Sequence, residues 1–414
     1  MKLVCDLHIH SKYARATSPR SDLPTLDKWA QIKGVNVLGT GDFTHPAWFR
    51  ELSEKLEPAE PGLYALRPTT NDQRPTTRFL LSVEVSLIYS KGGKVRKIHH
   101  IICVPLLKEA SEISKQLAKV GRLDSDGRPI FGMSSEKLAE IVFGSSEKAM
   151  LIPAHIWTPW FAIFGSKSGF DSIEECFEKW TPKIFAIETG LSSDPVMNWM
   201  VSKLDNVAVT SYSDAHSPEK IMREATVLDC ELNYEGIYNA IKSRDPKKFL
   251  HTIEFFPEEG KYHYDGHRAC QFSIPPAETK KFRGVCPRCG RPLTIGVLNR
   301  VWALADRKEG EKPKTAIPFK NFIPLQEIIE QVKKSKGKAV QELYSALINA
   351  FGNELEIIEN ASFEQIKKPA GEEVAKAVID VREGKVKIIP GYDGEYGKIE
   401  LLGAPAKERQ SKLF

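Results

Sequence analysis

The sequence predicts an α/β fold: a (β/α) barrel, then a small cysteine-bearing module, then a mainly helical C-terminal domain. Three observations carry this prediction. Across residues 1–255 short apolar runs alternate with amphipathic stretches, as in strands joined by helices. All ten histidines lie before residue 268, whereas residues 266–340 hold 16 basic against 6 acidic side chains. Of seven cysteines, only Cys286 and Cys289 are closely spaced. A chain of 414 residues suits two or three domains, and 41% hydrophobic content excludes disorder. No apolar run approaches the roughly 20 residues that span a bilayer. The N-terminus MKLVCDLHIHSKY carries no secretory h-region. Sparse, odd-numbered cysteines exclude a disulfide scaffold, so a cytoplasmic protein without membrane attachment is expected.

The elements follow in order. Strand-like runs occupy 3–10, 35–39, 79–85, 98–105, 149–153, 184–188, 207–211 and 224–228. Amphipathic helical patterns lie at 26–33, 111–120, 135–143, 173–179 and 234–243. Repeated β-then-α favours a barrel over an open sheet, with the chemistry at the C-terminal strand ends. Residues 255–265 and 309–318 read as linkers. They bound a barrel (1–255), a zinc-binding module (256–308) and a C-terminal domain (309–414) that is helical through 321–382 and ends in strand-like KVKIIP. No internal repeat is visible.

Chemistry-bearing residues sit beside those strand-like runs. In DLHIHS, alternation along a strand turns Asp6, His8 and His10 to one side. Asp42 follows VLGTG, with His45 three residues on. Glu84 ends FLLSVE, and the pair His99 and His100 opens HHIICVP. His155 follows MLIPA, and Asp214 and His216 sit in SDAHS. So many imidazoles and carboxylates at converging strand ends are costly to bury unless metal ions pair them. Histidine with carboxylate suits zinc, manganese or iron better than calcium, and clustered divalent ions suit phosphoester hydrolysis. Of the adjacent histidines one should face inward, and His100 is taken as that one. Lys12 and Arg15, after the first strand, are candidates for holding phosphate oxygens.

Three further stretches stand out. GVCPRCGRPL sets Cys286 and Cys289 in a zinc-knuckle turn. Cys270 is the natural third ligand for one structural zinc, and the fourth is His267 or His263. Arg268, Lys280, Lys281, Arg283, Arg288, Arg291 and Arg300 make this module basic enough to lie along a nucleic-acid backbone. HIWTPWFAIFGSKSGF places Trp157, Trp160 and Phe161 beside His155, followed by Ser166 and Lys167. Its aromatics could stack on an extruded base or simply pack in the core. ETGLSSDP sets Glu188 and Asp194 after another strand.

The ordered metal-type residues resemble the PHP (polymerase and histidinol phosphatase) family. That resemblance implies a distorted (β/α)7 barrel holding two or three divalent ions. Zinc is the first choice, with magnesium or manganese as activating alternatives. Carried over by motif, the ligands are His8, His10, Asp42, Glu84, His100, His155, Asp214 and His216, with Asp42, Glu84, Asp214 and His216 as the catalytic group. GDFTHP departs from the pattern: Phe43 stands where a ligand histidine is usual, leaving Asp42 in the role and His45 as a substitute.

HIWTPWFAIFGSKSGFDS, IETGLSSDPVMNW and SDAHSPEKI, together with the CPRCG module and helical C-terminus, resemble the archaeal endonuclease Q family over essentially the whole chain. This resemblance implies cleavage of DNA on the 5′ side of deaminated bases (uracil, hypoxanthine, xanthine) and abasic sites. The end, ERQSKLF, supplies Gln410 and Leu413, the start of a sliding-clamp motif of the form Q-x-x-[IL]-x-x-aromatic-aromatic. Stopping short of the aromatic pair, it should bind a clamp poorly. A small-molecule phosphatase explains the metal residues but not the basic module, and a non-catalytic DNA-binding protein leaves the nearly complete ligand set without a purpose.

Overall fold

A computed structural model of the chain describes residues 1–68 and 77–402. Gln410 and Leu413 lie outside the described residues. The apolar runs become strands Lys2–Asp6 (β1), Val37–Gly39 (β2), Arg78–Lys91 (β3), Lys94–Val104 (β4), Met150–Pro153 (β5), Ala186–Glu188 (β6), Ala208–Thr210 (β7) and Ala225–Asp229 (β8). Except for the long hairpin strands β3 and β4 they are short, and all are largely buried on both faces, as strands covered by helices must be. β1, β2 and β3 pair in parallel, as do β6 and β7.

The wall is not uniformly parallel. β4 runs antiparallel to β3 and to β5, and β8 antiparallel to β1. The signal for the β3–β4 hairpin lies in KGGK: Gly92 and Gly93 both have positive φ, +61° and +72°, as a tight two-residue turn needs. Isolated bonds complete the ring where no ladder does. The Ile156 amide donates to the Glu188 carbonyl across 3.1 Å, joining the end of β5 to β6. Ser211 and Thr226 exchange two 3.1 Å bonds that tie the end of β7 to β8. The barrel is therefore distorted, and its rim is held by side chains as much as by the sheet.

Local sequence explains the helix positions. Leu23–Lys33 starts at Asp22, whose side chain accepts from the Thr25 amide, and ends at left-handed Gly34. Pro46 opens Pro46–Lys55 at a position where a missing N–H costs nothing. Asn233 caps Tyr234–Ser243 in the same manner as Asp22. Strand β9 (Phe249–Glu254) then lies antiparallel to β8, and β10 (Phe319–Asn321) parallel to β9. The stretch after the second linker thus returns to the barrel sheet before the C-terminal helices begin.

Those helices run from Leu325–Lys333 and Lys338–Phe351 to Glu354–Glu359, Phe363–Ala370 and Glu372–Arg382. Ser362 and Gln365 form a reciprocal cap at the start of Phe363–Ala370. KVKIIP supplies the strand Val386–Ile389, paired with Lys398–Leu401.

One buried ion pair joins the C-terminal helices to the barrel. Lys33 Nζ lies 2.6 Å from Glu354 Oε2, which also accepts from the Tyr344 hydroxyl at 2.5 Å. The other carboxylate oxygen accepts from the Leu325 amide at 2.9 Å. Breaking such a pair strands a charge in the core. Glu354→Gln should lower stability by about 3 kcal/mol, seen as a lower urea midpoint, whereas Lys33→Met with Glu354→Leu should recover most of that loss. An unmoved midpoint in Glu354→Gln would show the pair to be energetically idle.

Candidate binuclear metal centre

Two groups of side chains meet at the barrel rim and share one carboxylate. His8, His10, Glu84 and Asp214 bring one ligand atom each to within 4.8 Å of one another, as do Glu84, His99 and His155. Glu84 Oε2 faces the first group, 3.2 Å from His10 Nε2 and 3.5 Å from His8 Nε2. Its Oε1 faces the second, 2.7 Å from His99 Nδ1 and 3.1 Å from His155 Nε2. Asp214 Oδ1 completes the first group, 3.2 Å from His10 Nε2.

Three of the four imidazoles, those of His8, His10 and His155, are aimed by a partner on the far nitrogen, the usual way that ligand histidines are fixed. Glu188 Oε1 holds His8 Nδ1 at 2.9 Å, while Glu188 Oε2 accepts the His155 amide at 2.7 Å. Asp42 Oδ1 holds His10 Nδ1 at 3.1 Å, and Asp42 Oδ2 accepts the Ser11 amide and hydroxyl at 2.7 and 2.6 Å. Thr158 Oγ1 lies 3.2 Å from His155 Nδ1.

The backbone at these positions is unusual. Asp42, His155 and Asp214 have φ of +51°, +31° and +46°, a left-handed region that non-glycine residues rarely enter. Such strain gathers where a strand end must turn a side chain inward. Gly190 makes the close approach to His155 possible, since a Cβ there would fall 2.3 Å from the His155 Cβ.

The electrostatics invite a cation. Burial works against charge on His8, yet Glu188, Glu84 and Asp214 outweigh it and raise the imidazole well above its ordinary value. Burial likewise opposes the Glu84 carboxylate, but His99, Arg128 and His8 hold it well below the usual range. Burial pulls His99 down to about 4 even beside Glu84, toward the neutral form that ligates metals. His8 Nε2 is buried without a hydrogen-bond partner. A buried, unpartnered nitrogen aimed at two carboxylates is what a metal ligand looks like without its ion. The residues present fit divalent metal.

Several expected positions are corrected. His99, not His100, faces Glu84. Across β3 and β4 Glu84 pairs with Ile101 and Ser86 with His99, so these share a face, while His100 pairs with Val85 on the other. His100 Nε2 instead meets Ser135 Oγ at 2.8 Å. Asp42 is not in either group, because both its oxygens are engaged in orienting His10 and the Ser11 turn. His216 also stands outside both groups, its ring 4.5 Å from that of His10. His45 stacks on Tyr13 at 4.5 Å and replaces no ligand, and Phe43 is core.

The substrate candidates divide. Phe161 packs 4.6 Å from the His99 ring, and Trp160 is 40% exposed, edge-on to Tyr262. Trp157 is core, its indole N–H donating to Asn198. Ser166 keeps a buried, unpartnered hydroxyl, and Lys167 is exposed. Glu188 supports the centre through His8. Asp194 only caps the helix Pro195–Trp199. Lys12 pairs with Glu51, and Arg15 reaches from solvent toward Asp126. Sequence reasoning missed Arg128, whose Nη1 lies 3.0 Å from Glu84 Oε2. A lone arginine in a loop carries no local signal.

The second cluster is simpler. His267, Cys270, Cys286 and Cys289 bring their ligand atoms within 4.8 Å, which selects His267 over His263. The Gly290 amide donates to the Cys286 carbonyl at 2.8 Å, closing the knuckle. Burial resists ionisation of Cys286, but the Arg288 and Cys289 amides hold its thiol below the ordinary value. Lys280, Arg283 and Arg291 are exposed around it.

Comparisons with known proteins point one way. Residues 324–385 match the family described as MJ0043 C-terminal domain. The chain is 37% identical over 254 residues to the uncharacterized protein MJ0043 of Methanocaldococcus jannaschii, a match covering 59% of this chain and 31% of that longer protein. Its fold is similar to the crystal structure of the lesion-specific endonuclease PfuEndoQ from Pyrococcus furiosus, with a TM-score of 0.85, 30% identity, and 97% and 96% of the two chains covered. A structure of endonuclease Q with a 27-mer duplex bearing an abasic lesion at its active site matches with the same TM-score and identity over 100% of both chains.

His99→Ala should weaken metal binding to the barrel by about tenfold or more, read by cobalt(II) titration, while His100→Ala leaves it unchanged. The reverse pattern would refute the facing assigned above. Cys286→Ser should release the zinc of the cysteine cluster, measured as lost metal content, and lower the melting temperature.

Proposed function

The chain belongs to the endonuclease Q family, and from that membership we propose that it is a DNA repair endonuclease cutting 5′ to deaminated bases and abasic sites. The observation that carries the reading is the carboxylate of Glu84 held between two imidazole groups, with exposed Trp160 and buried-edge Phe161 at its border. His8, His10, Glu84 and Asp214 would hold one divalent ion and Glu84, His99 and His155 another, with His216 beside them for a third. Zinc suits these donors, with magnesium or manganese as alternatives. Bound divalent ions supply the charge that makes water nucleophilic near neutral pH and stabilises phosphate oxygens.

The chain's own residues do the rest. Asp42 and Glu188 keep the imidazoles of His10 and His8 aimed at the Glu84 carboxylate, where the ion would be held. Arg128, partly open to solvent, offers its remaining guanidinium donors to a phosphate oxygen. Water adds to phosphorus, the bond to the 3′ oxygen breaks and that oxygen takes a proton, leaving a 3′-hydroxyl and a 5′-phosphate. Selectivity requires the damaged nucleotide to leave the stack. Loop residues 157–170 form part of the receiving wall, with Trp160 and Phe161 as stacking faces. A backbone N–H there favours a keto oxygen over the amino group of the undamaged base. Exposed Lys280, Arg283 and Arg291 lie along the duplex backbone. Damaged DNA is the partner, and a sliding clamp is a second through Gln410 and Leu413, on the motif alone. No described helix is long and apolar enough to cross a membrane. The working place of such an enzyme is the cytoplasm, at the nucleoid.

A gel assay tests the reading. Uracil- or hypoxanthine-containing duplex should be nicked about a hundredfold or more faster than undamaged duplex, and chelator should abolish nicking. Hydrolysis of p-nitrophenyl phosphate without nicking would make the protein a phosphatase. A gel shift without cleavage under any divalent metal would make it a binding protein.

A further inference from the structure

Arg300 turns away from any duplex. It sits on the helix Val297–Leu304 of the cysteine module, yet its guanidinium reaches into the barrel loop after β5. Its Nε donates to the Phe164 carbonyl and its Nη2 to the Phe170 carbonyl, both at 2.9 Å, and Nη2 lies 2.5 Å from Asp171 Oδ1. The planar fork satisfies two carbonyls and a carboxylate at once, which a lysine ammonium on its single flexible stem would not do in the same geometry.

That loop aims both imidazoles of the second metal group. The Phe161 carbonyl accepts the His99 amide at 3.0 Å, while the Phe161 ring lies 4.6 Å from the His99 ring. Thr158 meets His155 Nδ1, and the Phe164 amide returns to the Ile156 carbonyl at 2.9 Å. From the barrel side the loop is gripped by Arg96, whose guanidinium lies 4.0 Å over the Phe170 ring and bonds the Gly169 carbonyl. Two arginines therefore hold residues 164–171, Arg96 from the barrel and Arg300 from the cysteine module.

Arg300 is in turn tied to the cysteine cluster. Asp265, two residues before His267, is fully buried and accepts from the Gly296 amide at 2.6 Å and from the Asn299 side chain. Gly296 and Asn299 bracket the start of the helix that carries Arg300. A rigid chain of bonds thus runs from the strand bearing His267, through Asp265 and the helix, to the carbonyls of the loop.

We infer that Arg300 is a positioning residue for the barrel centre: from the cysteine module it fixes the loop that orients His99 and His155, a role that rests on the metal-centre reading above. The module then does more than lie on DNA. Its folded, metal-held state is read by the second metal group.

The test uses the full-length protein stripped of metal and titrated with cobalt(II). Thiolate-to-cobalt absorption reports the module, and the weaker d–d bands report the histidine and carboxylate site. Arg300→Ala should weaken cobalt binding in the barrel about tenfold and lower kcat on lesion DNA in step, with KM little changed and the thiolate band intact. Arg300→Lys should fall between it and the parent, and it decides the matter if Arg300→Ala unfolds the module. Cys289→Ser should shift the barrel bands in the same direction. Unchanged barrel affinity in both Arg300 variants overturns the proposal, as does a loss confined to KM, which would make Arg300 a DNA contact. Because the cobalt bands need no substrate, they report on Arg300 even if the parent protein nicks no DNA.

Discussion

The barrel rim concentrates negative charge and unprotonated nitrogen where water is scarce. Glu84, Glu188, Asp42 and Asp214 surround His8 and His10, and all but Asp214 are fully buried. An unpaired carboxylate in such a place would cost several kcal/mol, so the arrangement holds together through shared protons or a bound cation. Protons alone leave His8 Nε2 without a hydrogen-bond partner. The demand for positive charge at that point organises the rest: the strand ends that carry ligands, the carboxylates behind them, and the loops that close over them.

Strain is the second consequence. β1 ends at Asp6, so His8 and His10 project from chain already leaving the sheet. Asp6 itself accepts the Ser213 and Met222 amides at 3.0 Å and pins the segment that presents Asp214. Left-handed backbone at Asp42, His155 and Asp214 turns three further side chains inward. Each such residue costs about 1–3 kcal/mol that the surrounding structure must offset. The offset is visible as bonds that lock each turn, including Ser11 to Asp42 and the His155 amide to Glu188.

Attachment of the later domains follows a different logic. Lys33 and Glu354 join barrel to C-terminal helices by a buried pair whose geometry leaves no freedom. Glu359 adds contacts at 3.0 Å to Lys2 and Lys320, from the barrel's first strand and its last. Two guanidinium groups of the basic stretch are likewise turned toward the molecule: Arg307 pairs with Asp205, and Arg300 with the loop beside the candidate metal centre. Composition does not distinguish these two from the exposed basic residues around them, because guanidinium groups serve equally well as internal carbonyl clamps.

Local pattern was enough for most strands and helices of the barrel, though not the helix Pro46–Lys55, and for the cysteine knuckle and the meeting of His8, His10, Glu84, His155 and Asp214. Each of these is written in a few adjacent residues: an apolar run, a cap, a C-P-x-C-G turn, or a polar residue at a strand's end. The β3–β4 hairpin was also legible in KGGK, and with its register the choice of His99 over His100 would have followed. Tertiary structure alone decided what depends on two distant segments meeting. It made Asp42 and Glu188 supports rather than ligand and substrate contact, brought Arg128 to Glu84, and turned Arg300 inward. Spacing along a chain fixes which way a side chain leaves its own backbone, but which atom it meets depends on register and loop path, and those are set by packing between elements far apart in sequence.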